Sequence, residues 1–465
     1  MSLYRLSFMR CAFISSLLSL SFIVTLSLTT VVQASGFFTP PHGVRTQGRG
    51  GAGVLSAIDM NALWYNPALL AGLGKFHLTV DLNLLDQDAS FARSPRTLSN
   101  GERIHYPQVD NLSNPVLIPQ IGVASNLGTE RFVFALGVWA PNGAPARYPQ
   151  NGPQRYTIID TEGSFALSVE LAVAWRVTDW WWIGGGIQNH SVTIRLVNTL
   201  TTWPGFTGDA ESEDYDLLFE GIVSSPITPS GNFGTRIELF KALQIGMNIQ
   251  LPVLVRDHQA QTKQRLPSGV LFDEVRIQGD TVKSTFDQPW ILRSGIRYVR
   301  PTWDIELNLV VEFWSIFDQI TIEPNQITVQ NVPAVGNLQA GNLSIPRNYQ
   351  DTLSIRLGGD VQIMPNRLDI RVGSFWEQSA IPTQTLSVLQ MDSTKFGLSL
   401  GLSWHMTPHV ILDLAYSRLF YQPVTVTDSL VRQINPTNID NTIVVGNGEY
   451  DLSAQLVGLG IRVDL

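Results

Sequence analysis

The stretch Phe396-Gly397-Leu398-Ser399-Leu400-Gly401-Leu402-Ser403-Trp404 makes every second side chain apolar and the ones between small or hydroxylic. Side chains alternate across a β-strand, so this segment reads as a strand with one oily face and one small, polar face. The same period runs through Phe76, Leu78, Val80, Leu82 and Leu84, and through Phe165, Leu167, Val169, Leu171, Val173 and Trp175. It returns at the end of the chain in Val457, Leu459, Ile461, Val463 and Leu465. Each run lasts about ten residues, the length of a tilted strand that crosses a bilayer. The oily face is then either a sandwich core or a lipid-facing surface, and the connections decide. Six are short, at 126–131, 176–180, 240–242, 299–303, 364–367 and 405–409. Between them lie seven long ones, at 86–116, 140–162, 198–230, 257–288, 315–350, 377–395 and 420–450. Strict alternation of short and long predicts an all-β fold, a fourteen-stranded antiparallel transmembrane β-barrel with tight turns on one rim and long loops on the other. Segments 214–223 and 269–278 read equally as strand extensions or as hairpins within loops.

Composition agrees. Of 465 residues only 15% are charged, against about 25% in soluble globular proteins. Lysine is confined to Lys75, Lys241, Lys263, Lys283 and Lys395, and the formal net charge is -8. A nucleic-acid binder needs a basic face, so no nucleic-acid partner is expected. The N-terminus reads as an export signal over 1–34: Arg5 and Arg10 precede an apolar run that ends at Val32-Gln33-Ala34. Cys11 is the sole cysteine and lies within that signal, which leaves no thiol chemistry after it.

Residues 35–74 precede the first strand of the barrel, which spans 75–465. They are Gly-rich, with a helix-like stretch over 57–64; Asn66 can cap a second short helix with Pro67 at its first position, closed by Gly72. A segment with its own caps but too short to fold alone must pack on something, and the barrel lumen is the container at hand. The expectation is therefore a hatch that plugs the pore.

The residues of this segment, Gly48-Arg49-Gly50-Gly51-Ala52-Gly53 and Trp64-Tyr65-Asn66-Pro67-Ala68 with Ser35-Gly36-Phe37 before them, resemble the hatch of the FadL-like outer-membrane transporters. The resemblance continues through Pro141-Asn142-Gly143, Gln154-Arg155-Tyr156, Phe313-Trp314-Ser315, Asn348-Tyr349-Gln350-Asp351-Thr352 and Ile381-Pro382-Thr383. Two positions depart from the pattern: Leu69 replaces a frequent Gly, and Leu465 a usual terminal Phe. The resemblance implies uptake, across the outer membrane of a Gram-negative cell, of long-chain fatty acids or related hydrophobic compounds. Cargo would be caught among the long loops, pass a pocket in the barrel, and leave sideways into outer-membrane lipids through a gap made by a kinked strand near 135–143. It also implies a monomer without cofactor or metal, and not an enzyme. The implied ligand-binding and gating positions are Phe37, Phe38, Asn66, Pro67, Ala68, Pro141, Gly143 and Arg155. A surface adhesin or receptor that does not transport is the alternative.

Other motifs carry less. Gly48-x-Gly50-x-x-Gly53 satisfies a dinucleotide fingerprint, but no strand precedes it and no acid follows at the required distance. His42, His77, His105, His190, His258, His405 and His409 lack metal-ligand spacing. His190-Ser191 sits on opposite faces of a strand, so an outer-membrane hydrolase lacks a Ser/His pair on one face. Asp369 with Arg371, and Arg356 with Asp360, read as lumen-facing charge pairs.

Overall fold

The computed structural model describes residues 41–98, 100–140, 146–205, 208–267, 272–332, 336–436 and 441–465. The export signal expected over 1–34 and the residues Phe37, Phe38, Pro141 and Gly143 lie outside the described residues. Fourteen antiparallel strands close a barrel. They are β1 (Phe76–Arg93), β2 (Val116–Ser125), β3 (Phe132–Trp139), β4 (Phe165–Arg176), β5 (Trp181–Thr201), β6 (Asp216–Phe240) and β7 (Leu243–Gln250). Then come β8 (Ile291–Val299), β9 (Trp303–Glu312), β10 (Thr352–Met364), β11 (Leu368–Glu377), β12 (Lys395–His405), β13 (Val410–Tyr421) and β14 (Gly448–Asp464). The ladder from His77↔Asp464 to Arg93↔Gly448 joins β1 to β14 and removes both sheet edges. Val253–Arg265 and Thr281–Gln288 carry the hairpin of β7 and β8 outward beyond the barrel wall.

The alternation read from the sequence is present, turned inside out relative to a soluble protein. On β12, Leu398 and Leu400 are 49% and 58% exposed while Ser399 and Ser403 are buried. The same holds on β4 and β14, so the apolar face forms an outer belt and the small, polar face lines the lumen. Trp175, Trp303 and Trp404 are exposed at strand ends near the short-turn rim, as an interfacial girdle requires.

The structure separates the two ambiguous segments. Residues 216–223 belong to β6, which pairs with β5 out to Thr201↔Asp216, a strand extension. Arg276–Gln278 instead joins Thr328–Val332 and Gly336–Gln339 in a small sheet shared between two long loops.

Residues 41–74 sit inside the barrel, almost all of them buried. The helix expected over 57–64 is reduced to Ala62–Tyr65. Within that stretch the N–H groups go elsewhere: Ile58 to the Ser56 carbonyl (2.8 Å), Met60 to Thr79 Oγ1 (3.3 Å) and Asn61 to Asp59 Oδ1 (2.9 Å). Thr79 is a side chain of the wall, which a reading of local propensity does not include. Pro67–Gly72 does form a helix, of the tighter 3₁₀ type, with Pro67 first and Asn66 as its cap.

This topology predicts the outcome of thiol labelling on intact cells. Cysteines placed at Ser94, Asn151 and Asn337 will react with an impermeant reagent. Cysteines at Gly128, Thr178 and Pro408 will react only after the outer membrane is opened. Labelling of the second set on intact cells would break the fourteen-strand register.

Candidate functional site

The hatch is held differently on its two sides. One side is ionic. Arg49, wholly buried, donates to Asp304 on β9 (2.8 Å), lies 3.4 Å from Glu306 and pairs with Asp360 on β10. Arg45 donates to Asp360 at 2.6 Å and also to the Ser56 carbonyl. Wall side chains reach the hatch backbone as well: Asn308 Oδ1 accepts from Gly53 N–H (3.0 Å), Asp81 Oδ2 from Val44 N–H (3.0 Å), and Arg297 donates to the Leu55 carbonyl (3.2 Å). Such charge-assisted bonds in a dry interior are strong only while every partner is present.

Glycine makes this approach geometrically feasible. A side chain at Gly373 would meet the Arg49 carbonyl carbon at 1.9 Å, and one at Gly358 the Arg49 carbonyl oxygen at 2.3 Å. Gly50 and Gly51 adopt φ of 65° and 77°, where other residues are strained. The run Gly48–Gly53 is thus a backbone laid on the bare glycines of β10, β11 and β12.

The other side of the hatch is apolar. Met60, Leu63, Trp64, Leu69 and Leu70 pack on Ala124, Val133, Ala135, Ala172 and Ala174 of β2, β3 and β4. Asn66 works between the two sides. Its Oδ1 accepts from Ala68 N–H (3.1 Å), and its Nδ2 donates to the carbonyls of Val54 (2.9 Å) and of Thr235 on β6 (3.1 Å). Pro67 and Ala68 lie against Gly184 of β5, where a Cβ would come within 2.6 Å of them. Asn66, Pro67 and Ala68 therefore come together as one docking element.

Where the hatch begins, Pro41, His42 and Gly43 line a narrow cleft with Ile118, Pro119 and Gln120 of β2 and with Trp139. The β2–β3 ladder ends at Gln120↔Trp139, whereas on its other side β2 stays paired to β1 as far as Leu85↔Val116. Pro119 has no N–H with which to continue a ladder. Through Trp139, β3 is regular, so the kink expected over 135–143 is not found in its described part.

Above the hatch, residues of the long loops and strand ends gather in an apolar layer that includes Phe91, Tyr148, Trp314, Phe317, Tyr349 and Tyr450. Beneath it, the buried cations are matched: Arg356 pairs with Glu377 (2.6 Å), and Lys395 with Glu377 (3.2 Å) and Asp392 (2.7 Å). Arg293 and Arg347 are the exceptions among the described residues: Arg293 donates to Asn248 Oδ1 (2.8 Å) and lies over the Trp64 ring, and the other is Arg347. It is 4% exposed and ordered by its main chain, whose N–H donates to Asp318 and whose carbonyl accepts from Thr385 Oγ1 (2.7 Å). Its Nε has no partner, and among the described residues no carboxylate pairs with it. Burial pushes its pKa below the ordinary guanidinium value, with Tyr349 opposing.

Several sequence readings are revised. Arg356 pairs with Glu377 rather than Asp360, and Asp369 with His405 (2.9 Å) rather than Arg371. Asp360 faces Arg371 across the β10–β11 ladder (3.3 Å) and takes both hatch arginines. A Ser/His pair on one face does exist: Ser168 Oγ lies 2.7 Å from His190 Nδ1 across β4 and β5. Both are buried, and the other ring nitrogen meets Gln188 Oε1 (3.3 Å) rather than a carboxylate. Arg155 is committed within the loops, donating to Asp216 (2.7 Å), the Glu211 carbonyl (2.7 Å) and Tyr156 Oη (2.8 Å). Sequence reading missed Arg347, Pro119 and the hatch-binding acids Asp304 and Glu306. Only Pro119 carried a local signal, a proline within a strand pattern.

Comparison with known proteins gives a consistent picture. A Pseudomonas aeruginosa FadL homologue superposes with a TM-score of 0.75 at 17% identity, covering 92% of this chain and 100% of that one. The Ralstonia pickettii toluene transporter TbuX gives 0.63 at 17% identity, over 91% and 98%. The Pseudomonas putida toluene transporter TodX gives 0.63 at 14% identity, over 94% and 99%. A Neisseria meningitidis serogroup B protein described as a putative outer membrane protein is 25% identical over 127 residues, a match that spans 27% of this chain and 27% of that protein. At these identities the structures establish the fold. The family comes from the model of the outer membrane transport proteins OMPP1/FadL/TodX, which matches residues 25–464, and the chain belongs to that family.

Proposed function

We propose that this barrel takes up hydrophobic compounds with an acidic head, long-chain fatty acids foremost, and releases them sideways into the outer membrane as a single chain. The observation that carries the cargo class is Arg347. A buried guanidinium without an anionic partner is costly, and a carboxylate arriving with an apolar tail would supply that partner beside an apolar layer. A tail dragged back into water would lose about 0.8 kcal/mol per CH₂, so a route that ends in lipid avoids the largest barrier.

The sideways exit is supported by the asymmetry of the hatch. Against β2, β3 and β4 it makes mainly apolar contacts with small side chains, which can slide. Against β9 and β10 it is clamped by ion pairs. The cleft at Pro119 and Trp139, where the β2–β3 ladder stops, lies on the side free to move. A second reading, uptake of neutral aromatic hydrocarbons, is favoured by Trp314 and Phe317 set edge-on to Tyr349. Two proteins of similar fold are toluene transporters.

Uptake assays in cells lacking their own transporter separate these readings. Arg347→Leu will cut uptake of radiolabelled long-chain fatty acid by about tenfold or more, the scale of a lost charge-assisted bond. It will leave uptake of toluene unchanged. An equal effect on both cargoes, or on neither, contradicts the carboxylate role. For the exit, Pro119→Cys with Ala140→Cys will stop uptake when oxidised and restore it when reduced. Uptake indifferent to that crosslink contradicts lateral release at this site.

A further inference from the structure

On the outer wall, away from the cleft at Pro119, strands β6 to β9 carry a depression in the apolar belt with a cavity volume of about 210 Å³. It is lined by outward-facing Thr235, Ile245, Met247, Ser294, Ile296 and Leu307. Their lumen-side neighbours Asn248, Arg293 and Asn308 bond within the barrel or to the hatch, which fixes the orientation of each strand. The hollow exists because Thr235 and Ser294 are short among longer aliphatic chains. Their hydroxyls are satisfied internally: Thr235 accepts from Trp181 Nε1 (3.1 Å) and donates to the Trp182 carbonyl (3.1 Å), and Ser294 donates to the Leu309 carbonyl (3.4 Å). The surface left to the membrane is therefore apolar.

What lies below the hollow fits one kind of occupant. Continuing down the outward face of β8 from Ile296, Tyr298 comes next and then Arg300, whose guanidinium sits 4.9 Å over the Tyr298 ring. Tyr298 also packs against Trp303 at the start of β9 (5.8 Å). The Val299 N–H donates to the Ala242 carbonyl (2.7 Å), which brings the turn holding Lys241 beside the turn holding Arg300. Both cations are exposed, and neither has a carboxylate partner among the described residues. The vertical order is an apolar hollow, an aromatic level and a pair of cations at the short-turn rim. It matches the acyl chain, glycerol and phosphate of one lipid.

We infer that this face binds one glycerophospholipid of the periplasmic leaflet, with an acyl chain in the hollow and its phosphate on Lys241 and Arg300. Between lipid and protein there is no hydrophobic driving force, since the bilayer is as apolar as the groove. Selectivity must come from packing in the hollow and from charge at the rim. The exit proposed at Pro119 lies on another face, so the inference stands apart from the proposed function.

The test is native mass spectrometry of the full chain released from detergent with added palmitoyl-oleoyl phosphatidylglycerol. The parent will retain one phospholipid per barrel. Ser294→Trp fills the hollow from the lipid side and will abolish retention while leaving a heat-modifiable barrel. Lys241→Gln and Arg300→Gln, which leave the hollow intact, will each weaken retention by about fivefold. Retention unchanged in Ser294→Trp, or absent in the parent, overturns the inference. So does a dimer that Ser294→Trp dissociates, because the face then belongs to a second copy of the chain.

Discussion

A backbone crossing lipid finds no water for its N–H and C=O groups, and everything else in this molecule follows from that constraint. The ladder of β1 with β14 answers it by closing the sheet on itself. Closure turns the apolar face outward and encloses a small, polar face, which is the reverse of a soluble core. A lumen of that kind cannot be filled by an oily plug alone. The hatch accordingly presents arginines and open backbone N–H groups toward β9 and β10, and leucines toward the alanines of β2, β3 and β4.

That division sets how the hatch can move. The contacts of Arg45 and Arg49 with Asp304, Glu306 and Asp360 must be lost together, since removing one partner strands a buried charge. The apolar side carries no ion pair to the wall among the described residues; Leu63 and Met60 rest on small side chains, with the Leu63 carbonyl accepting from Asn232 (2.6 Å) and Met60 N–H donating to Thr79 (3.3 Å). The proposed hinge on the ionic side and door on the apolar side rest on this difference. The proposed door lies where Pro119 leaves β2 without a donor.

The barrel was legible because its signal is local and repeated: period-two runs such as Phe396 to Trp404 and turns too short for anything but hairpins. The Asn66 cap was legible for the same reason, since its acceptor and donor lie two residues apart in the chain. What was not legible depends on pairing across the sheet. Arg356 and Asp360 share a strand, yet each finds a closer partner on another element, in Glu377 and in the hatch arginines. Ser168 and His190 are far apart in sequence and become neighbours only through the β4–β5 register. The lack of a carboxylate partner for Arg347 among the described residues is likewise a property of the folded loops, invisible in a sequence where every arginine looks alike. In the stretch 57–64, Asn61 gives its N–H to the Asp59 side chain and Met60 to Thr79 of the wall, and the helix shrinks to Ala62–Tyr65.

The central claim is that the hatch occludes the lumen and that its displacement admits cargo. Removing residues 35–72 tests it directly, because a barrel that closes its own backbone bonds remains folded without a plug. Single-channel conductance in planar bilayers, with fatty acid uptake measured on the same variant in cells, is the decisive measurement. An open, ohmic pore for small ions together with loss of saturable uptake is the result this account requires. A barrel that stays closed to ions and carries fatty acid at the parental rate would contradict it.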